Sequence, residues 1–334
     1  MIDRLWIKNF KSIKDLQLDC KRVNVFIGEP NTGKSNILEA LGFLSWSGKQ
    51  HEQKLKDFIR LQSLYDLFFN NNIEEGFEIR LIGKEDDVSA ELMYKDNSFI
   101  VDCHENGKNN PQKIRQTLYR IDGDYADNIS FKKLNDVKFY RFIVKNQFPL
   151  DDATSLAPPN GDNLFRVIKS HPKIKDQISQ IFLSEGYKLS LKPADKSLEL
   201  FREDENIIIN HPYILLSDTL QRIVFYTVAL ESNHKSVIVL EEPEAHAFPY
   251  YVKHLGERIG LYSDNQFFIA THNPYLLTAI AEKTPLKDIR VMITYMKNYQ
   301  TKVMELKDDQ ISELMEFDPF FNAKRFIPDS EGIE

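Results

Sequence analysis

Cysteine is scarce: 334 residues carry two, Cys20 and Cys103, far apart and outside any Cys-x-x-Cys pair. That excludes a disulfide framework and a thiolate zinc site, and a reducing cytoplasm is the expected setting. Long apolar runs are also missing. None approaches the roughly 18 residues that would span a bilayer, and Met1 leads into charged, strand-like sequence rather than a signal peptide. An unexported protein with no membrane partner is expected. Glycine and proline, 13 and 14, are too few for a low-complexity or collagen-like chain. Positive charge is in deficit, with Lys plus Arg at 43, Asp plus Glu at 50 and a net charge of −7. The surface as a whole should therefore repel nucleic acid and anionic membranes, and any nucleic-acid contact must be a local patch. What remains is 42% hydrophobic and 28% charged, an ordinary globular composition long enough for one large domain or two moderate ones.

Short strands are expected at residues 5–10, 16–18 and 23–27, the last running straight into Gly28. Ile37, Leu38, Leu41 and Leu44 then have helical spacing, which makes residues 28–44 a strand, loop and helix. A polar helix is expected over 51–69, followed by an antiparallel meander that includes 77–81 and 91–94. A strand over 138–144, a loop over 148–160 carrying several prolines and a helix over 163–183 come next, then three short strands at 188–191, 198–201 and 207–209. From Ser217 onward strands and helices alternate: helix to 232, strand 236–240, helix after Pro249, strand 266–270, helix after Pro274 and strands near 289–295. That alternation implies a mainly parallel sheet. No heptad run or internal repeat is visible, so a long coiled-coil arm is not expected.

Gly28, Glu29, Pro30, Asn31, Thr32, Gly33, Lys34 and Ser35 fit G-x-x-x-x-G-K-[ST] at every position. In that pattern glycines let backbone N–H groups wrap phosphates, the lysine reaches the β and γ groups, and the hydroxyl after it is a Mg²⁺ ligand. The helix beginning there adds its positive dipole end. A second constellation ends an apolar strand: Val237 to Leu240, then Glu241, Glu242, Pro243 and Glu244. Adjacent carboxylates at a strand end point in different directions, so Glu241 is expected to hold the metal and Glu242 to act as base on an attacking water. A third follows Phe267 to Ala270, where Thr271, His272, Asn273 and Pro274 end another buried strand. His272 is expected to sense the γ-phosphate or orient the water. Each has a plainer reading, as a solvated glutamate turn or a helix-start histidine, and the phosphate loop upstream favours the functional one. A basic cluster at Lys132, Lys133, Lys138, Arg141 and Lys145, interleaved with Phe131, Phe139, Tyr140 and Phe142, could track a phosphate backbone or be the solvated face of a strand. His211, His234, His246 and His254 lack metal-ligand spacing.

In order along the chain, Ile7–Ser12, Gly28–Leu41, Leu216–Arg222, Glu241–His246 and Thr271–Leu277 resemble the ABC-type ATPases of the RecF, SMC and OLD (overcoming lysogenization defect) group, most of all the OLD-like ATPase domains. The resemblance implies an α/β fold, a P-loop NTPase of the ABC-type head kind, with a mixed β-sheet core, an N-terminal antiparallel β-layer and a helical insertion. The ATPase core would comprise 1–45 and 186–310, the meander 46–137, a Q-loop region and helical lobe 138–185, and a tail 311–334. The cofactors implied are ATP and Mg²⁺, bound between two copies of the chain as a homodimer. Catalytic roles would fall to Lys34, Glu242 and His272. Nucleotide would touch Gly28 through Ser35, Asn36, Lys11 and, from the second copy, Ser217. Metal would touch Ser35, Glu241 and Gln147. Lys11 could equally be a solvated turn lysine and Gln147 a surface-loop residue. Two departures stand out: Thr219 replaces the glycine of Ser-x-Gly-x-Gln-Arg, and Phe248 replaces the second histidine of Glu-Ala-His-Leu-His-Pro. From the length that follows the last strand, the TOPRIM nuclease fused to many OLD proteins is not expected. A separately encoded effector, as in bacterial defence against phage, is the partner implied. The alternatives are a nucleotide-gated scaffold with little turnover and a RecF- or SMC-like DNA-repair ATPase.

Overall fold

A computed structural model describes residues 1–48, 53–84, 86–107, 110–118, 134–205, 207–316 and 319–328. Alternation sets the first two strands. In β1 (Ile2–Phe10) Leu5 and Ile7 are buried with the half-buried Trp6 between them, and in β2 (Ile13–Asp19) Ile13, Leu16 and Leu18 are buried and the polar residues between them face out. β3 (Val23–Gly28) is buried at every position, as a strand covered on both faces must be. The helix that follows, α1 (Lys34–Ser47), is buried almost throughout, Glu39 and Ser45 included. Its four spaced leucines and isoleucines suggest one apolar stripe; the structure instead sandwiches the helix between two sheets.

The expected helix over 51–69 is not formed by the described part of that segment. It holds one turn, α2 (Leu55–Phe58), and 3₁₀ turns at Leu64–Leu67 and Phe69–Asn71. Leu55, Phe58, Leu64, Leu67 and Phe68 are all buried, and at about 100° per residue they would point all around a straight helix. Only a broken path brings them to one core, and the Lys11 amide ties that path to the Leu67 carbonyl at 3.0 Å. The meander follows as β4 (Phe77–Gly83), β5 (Asp86–Lys95), β6 (Ser98–Gly107) and β7 (Asn110–Leu118). After β8 (Val137–Tyr140), shorter than expected, the helix expected over 163–183 is two: α3 (Leu164–Ser170) and α4 (Pro172–Ser184). Pro172 opens the second and holds His171 extended.

β9 (Lys188–Lys192), β10 (Ser197–Asp204) and β11 (Ile207–Pro212) form a small antiparallel sheet. The chain then alternates through α5 (Asp218–Ser232), β12 (Val237–Glu241), α6 (Pro249–Leu261), β13 (Gln266–Ala270), α7 (Pro274–Lys283), β14 (Ile289–Lys297) and β15 (Gln300–Glu305). It closes with α8 (Asp308–Met315) and α9 (Pro319–Asn322).

Two six-stranded sheets organise these elements. One is antiparallel, β2-β1-β4-β5-β6-β7, so the N-terminal hairpin and the meander are a single layer. The other runs β15-β14-β3-β13-β12-β8, parallel except for β15. Strand pleating divides the core: Phe26, Val239 and Phe268 face α1 and the antiparallel sheet. Val25, Ile27, Ile238, Leu240, Phe267 and Ile269 face α5, α6 and α7. Because β3, β13 and β12 are neighbours in parallel, their carboxyl ends open on the same edge, the usual ligand crevice of such sheets. Among the described residues no helix is long and apolar enough to cross a membrane.

Candidate active site at the carboxyl edge of the parallel sheet

A cleft of about 450 Å³ lies on that edge, walled by Lys11, Ser12, residues 30–36, Glu39, Arg60, Glu242 and His272. Separate stretches of sequence meet there, among them all three that carry the motifs read from sequence.

The 28–35 loop is held by threonines that sequence reasoning missed. Gly28 has φ +146°, and a Cβ on it would lie 2.5 Å from the Thr294 carbonyl. Gly33 has φ +95°, and its Cβ would lie 1.9 Å from Thr301 Oγ1. Both are conformations and spaces that only glycine fills without strain. Thr32 Oγ1 donates to the Glu29 carbonyl at 2.8 Å and shares a 2.6 Å hydrogen bond with Thr294 Oγ1. Asn36 donates to Ser12 Oγ, which in turn shares a hydrogen bond with Thr301 Oγ1, each at 2.6 Å. Glu29 and Pro30 are exposed, and Lys324 from the tail pairs with Glu29 at 2.5 Å.

Lys34 is buried, its ammonium donating to the carbonyls of Gly28 and Glu29 at 2.8 Å each. Two of its three donors are thus used. Burial pulls its pKa down to about 8, against the opposing pull of Glu242 and Glu29.

Glu242 has φ +43° and its amide is anchored to the Ala270 carbonyl at 2.9 Å. That backbone turn aims the carboxylate across the strand ends, and its Oε1 lies 3.1 Å from His272 Nε2. Burial, and then the Lys34 charge, hold the His272 pKa below its ordinary 6.5, with Glu242 pulling the other way. Glu244 supports this pair from below. Its Oε1 accepts from Thr271 Oγ1 at 2.5 Å and from the His272 amide at 3.1 Å. Burial raises its pKa, opposed by those bonds.

Glu241 follows a different course. It is paired with Ala270 in the sheet register, but its carboxylate turns to Arg60, at 3.0 Å, and Arg141, at 2.7 Å. Both arginines also reach Glu39, a fully buried carboxylate one turn into α1. Lys11 bonds the same group and donates to the Arg60 carbonyl at 2.6 Å. Burial would raise the Glu39 pKa; Lys11 and Arg60 outweigh it and hold the carboxyl below its ordinary 4.5. Burial lowers that of Lys11. Sequence reasoning missed Arg60, Glu39 and the place of Arg141 in the site. Glu39 lies past the end of the phosphate-loop pattern, and only the fold brings its cationic partners to it.

Ser35 opens α1 inside the cleft. Gln147 is exposed and Ser217 is exposed, neither lining the cleft. Ser217 caps α5, accepting from the Leu220 amide at 3.3 Å. Thr219 donates to the His246 carbonyl at 2.9 Å. The basic cluster is only partly visible, since Phe131, Lys132 and Lys133 lie outside the described residues. In the remainder Arg141 pairs with Glu241 and Lys145 with Asp162, while Phe139 and Tyr140 are buried. The described portion is therefore used within the fold.

The donor set suits a nucleoside triphosphate with Mg²⁺. A lysine with a donor to spare, a hydroxyl at a helix start and carboxylates across the cleft are what such a ligand requires.

Comparison with known proteins agrees with this geometry. Residues 23–278, more than half the chain, match the family described as "AAA domain, putative AbiEii toxin, Type IV TA system". The chain is 31% identical over 96 residues to the uncharacterized protein MJECL10 of Methanocaldococcus jannaschii, covering 25% of this chain and 43% of that one. It is 26% identical over 212 residues to the DNA replication and repair protein RecF of Natranaerobius thermophilus, covering 63% of this chain and 46% of that protein. The chain thus spans less than half the length of these relatives. Among solved structures it is similar to an SMC head bound to the C-winged helix domain of ScpA, with a TM-score of 0.55, 16% identity, and 93% of this chain and 99% of that one covered. The fold is that of an SMC-head-like P-loop ATPase, with mixed sheets, as the sequence leads one to expect.

Proposed function

The chain belongs to this AAA domain family, and from that premise we propose that it is an ABC-type ATPase whose nucleotide-driven closure controls a separate effector protein. The observation that carries the reading is the convergence of Lys34 with the Glu242–His272 pair on one cleft.

In this reading Lys34 and the 28–35 backbone hold the β- and γ-phosphates, and Lys11 and Arg60 stand beside them. Ser35 and Glu241 would hold Mg²⁺, which when bound spreads the charge that develops on the phosphates. Gln147, exposed and outside the cleft, would have to move with its loop to join them. Glu242 accepts a proton from the attacking water. His272, neutral at pH 7 because its pKa is lowered, fixes the direction of that carboxylate through Nε2. Glu244 and Thr271 keep the histidine backbone in place.

Two copies would close on ATP, each offering Ser217 to the other's nucleotide. The exposed side chains of Leu215, Phe248 and Tyr250 near the start of α5 and of α6 support such a face. Kinship to the OLD-like domains, a cytoplasmic setting and a role in defence against phage belong to the same proposal and rest on the motif resemblance. Thr219 favours a second reading: its hydroxyl is spent on the His246 carbonyl where relatives have glycine, which suits a nucleotide-gated scaffold that turns over little. Phosphate release separates the two. The ATPase reading expects wild type to hydrolyse well above Glu242→Gln; equal rates with ATP still bound leave only the scaffold. A RecF-like role in DNA repair would need binding of labelled duplex at low salt.

A further inference from the structure

Both oxygens of Glu241 are taken. Oε1 accepts from Arg60 Nη2 at 3.0 Å, and Oε2 accepts from Arg141 Nη2 and Nε at 2.7 and 3.2 Å. The Glu241 side chain is only 12% exposed and that of Arg141 23%, so this pair is sheltered, whereas Arg60 is 62% exposed. The arrangement follows from the sheet: Leu240 pairs with Tyr140, and the next residues along the two parallel strands are Glu241 and Arg141. Arg141 is itself held, its amide donating to the Pro159 carbonyl at 3.0 Å and its guanidinium lying 5.1 Å from the centre of the Phe139 ring. Neither Arg141 nor Glu241, turned toward it, lines the cleft, whereas Arg60 and Lys11 do.

Resting on the nucleotide reading above, the geometry points to Arg141 as a positioning residue that competes with the metal for Glu241 once a triphosphate is bound, and so limits how far Mg²⁺ strengthens nucleotide binding. In the free chain three cations, Lys11, Arg60 and Arg141, share two carboxylates, Glu39 and Glu241. A divalent cation arriving first would join a cluster that already has a surplus positive charge, and would compete with Arg141 for Oε2. A triphosphate in the cleft reverses the sign. It draws Lys11 and Arg60 toward its own charge, which strips Glu241 of one partner and makes added positive charge favourable. Arg141 alone then remains to be displaced, and that residual competition sets how strongly metal and nucleotide reinforce each other.

The test measures the affinity of a fluorescent ATP analogue in EDTA and in saturating Mg²⁺, and takes the ratio of the dissociation constant in EDTA to that in Mg²⁺. Arg141→Met, which keeps length and removes charge, should raise that ratio about tenfold, the scale of one charge-assisted hydrogen bond. Arg141→Lys keeps the charge but loses the two-pronged contact, and should raise it by less. Thermal unfolding confirms that each variant is folded; should the Met variant not fold, the Lys variant still carries the comparison. An unchanged or lower ratio overturns the inference, because it would mean that Arg141 orients Glu241 for the metal rather than competing with it. Wild type that binds the analogue in neither condition overturns the nucleotide reading itself, and this inference with it.

Discussion

Raising the pH from 7 to 9 should weaken nucleotide binding about tenfold, and Lys34 is the group responsible. Burial pulls its pKa from the ordinary 10.5 to about 8 in the free chain. About nine in ten copies are then charged at pH 7 and about one in eleven at pH 9. A triphosphate against the ammonium offsets the burial, so the bound form stays charged over this range and affinity follows the charged fraction of the free protein. For the free chain the sign is the reverse: a lysine whose pKa is lowered by folding costs stability below that lowered value, and the cost is relieved as pH rises from about 8 toward 10.5. The assay is titration of a fluorescent ATP analogue, in EDTA, at half-unit steps. His272 stays neutral throughout, its pKa lying below 6.5. Lys11 also lines the cleft with a lowered pKa, so two variants assign the effect. Lys11→Met should keep the slope and Lys34→Met should lose it along with most of the affinity. A flat profile in wild type, or a slope that survives in Lys34→Met, refutes the reasoning.

Glu242→Gln puts a carboxamide in place of the base, and steady-state phosphate release should fall at least about 100-fold while ATP binding persists. Gly33→Ala puts a methyl 1.9 Å from Thr301 Oγ1 at a φ of +95°, which should cost about 1–3 kcal/mol in denaturant unfolding and abolish tight nucleotide binding. Glu39→Gln leaves the half-buried Lys11 and Arg141 and the exposed Arg60 short of a carboxylate and should destabilise the chain by about 3 kcal/mol, the low end for a broken buried pair because Arg60 is screened by solvent, read from urea midpoints. Because folding lowers the Glu39 pKa, that contribution is fully present above pH 4.5 and is lost as pH falls through the lower folded value. The wild-type acid-unfolding midpoint should therefore depend on Glu39 where the variant's does not.

The fold was legible where one stretch of chain carries its own signal. β3, β12 and β13 are mainly apolar runs, with Asn24 inside the first and Gln266 opening the last, and each ends in residues whose chemistry is written beside them: the 28–35 loop, Glu241 with Glu242, and His272. Their parallel adjacency then brings the three together without further information. The segment after α1 was not legible, because its buried residues follow a broken path set by Phe10, Lys11 and the antiparallel sheet rather than by a repeating period. The same limit applied within the site. Thr294 and Thr301 bound the phosphate loop from strands at the far end of the chain, and nothing local marks them. Arg141 reads as a member of a basic cluster, yet it lies one residue past the end of β8, where its guanidinium meets Glu241. Glu39, on a helix that reads as one-sided, is buried because both sides of that helix are covered.

The central claim is that a triphosphate sits against Lys34 with Glu242 and His272 across from it. Crystals grown with a nonhydrolysable ATP analogue and Mg²⁺ test it most directly. The account predicts phosphate density wrapped by the 28–35 backbone, with Lys34 on its terminal groups and Glu241 turned from Arg141 toward the metal. Nucleotide bound elsewhere, or a cleft between Lys34 and Glu242 without nucleotide at saturating analogue, would contradict it.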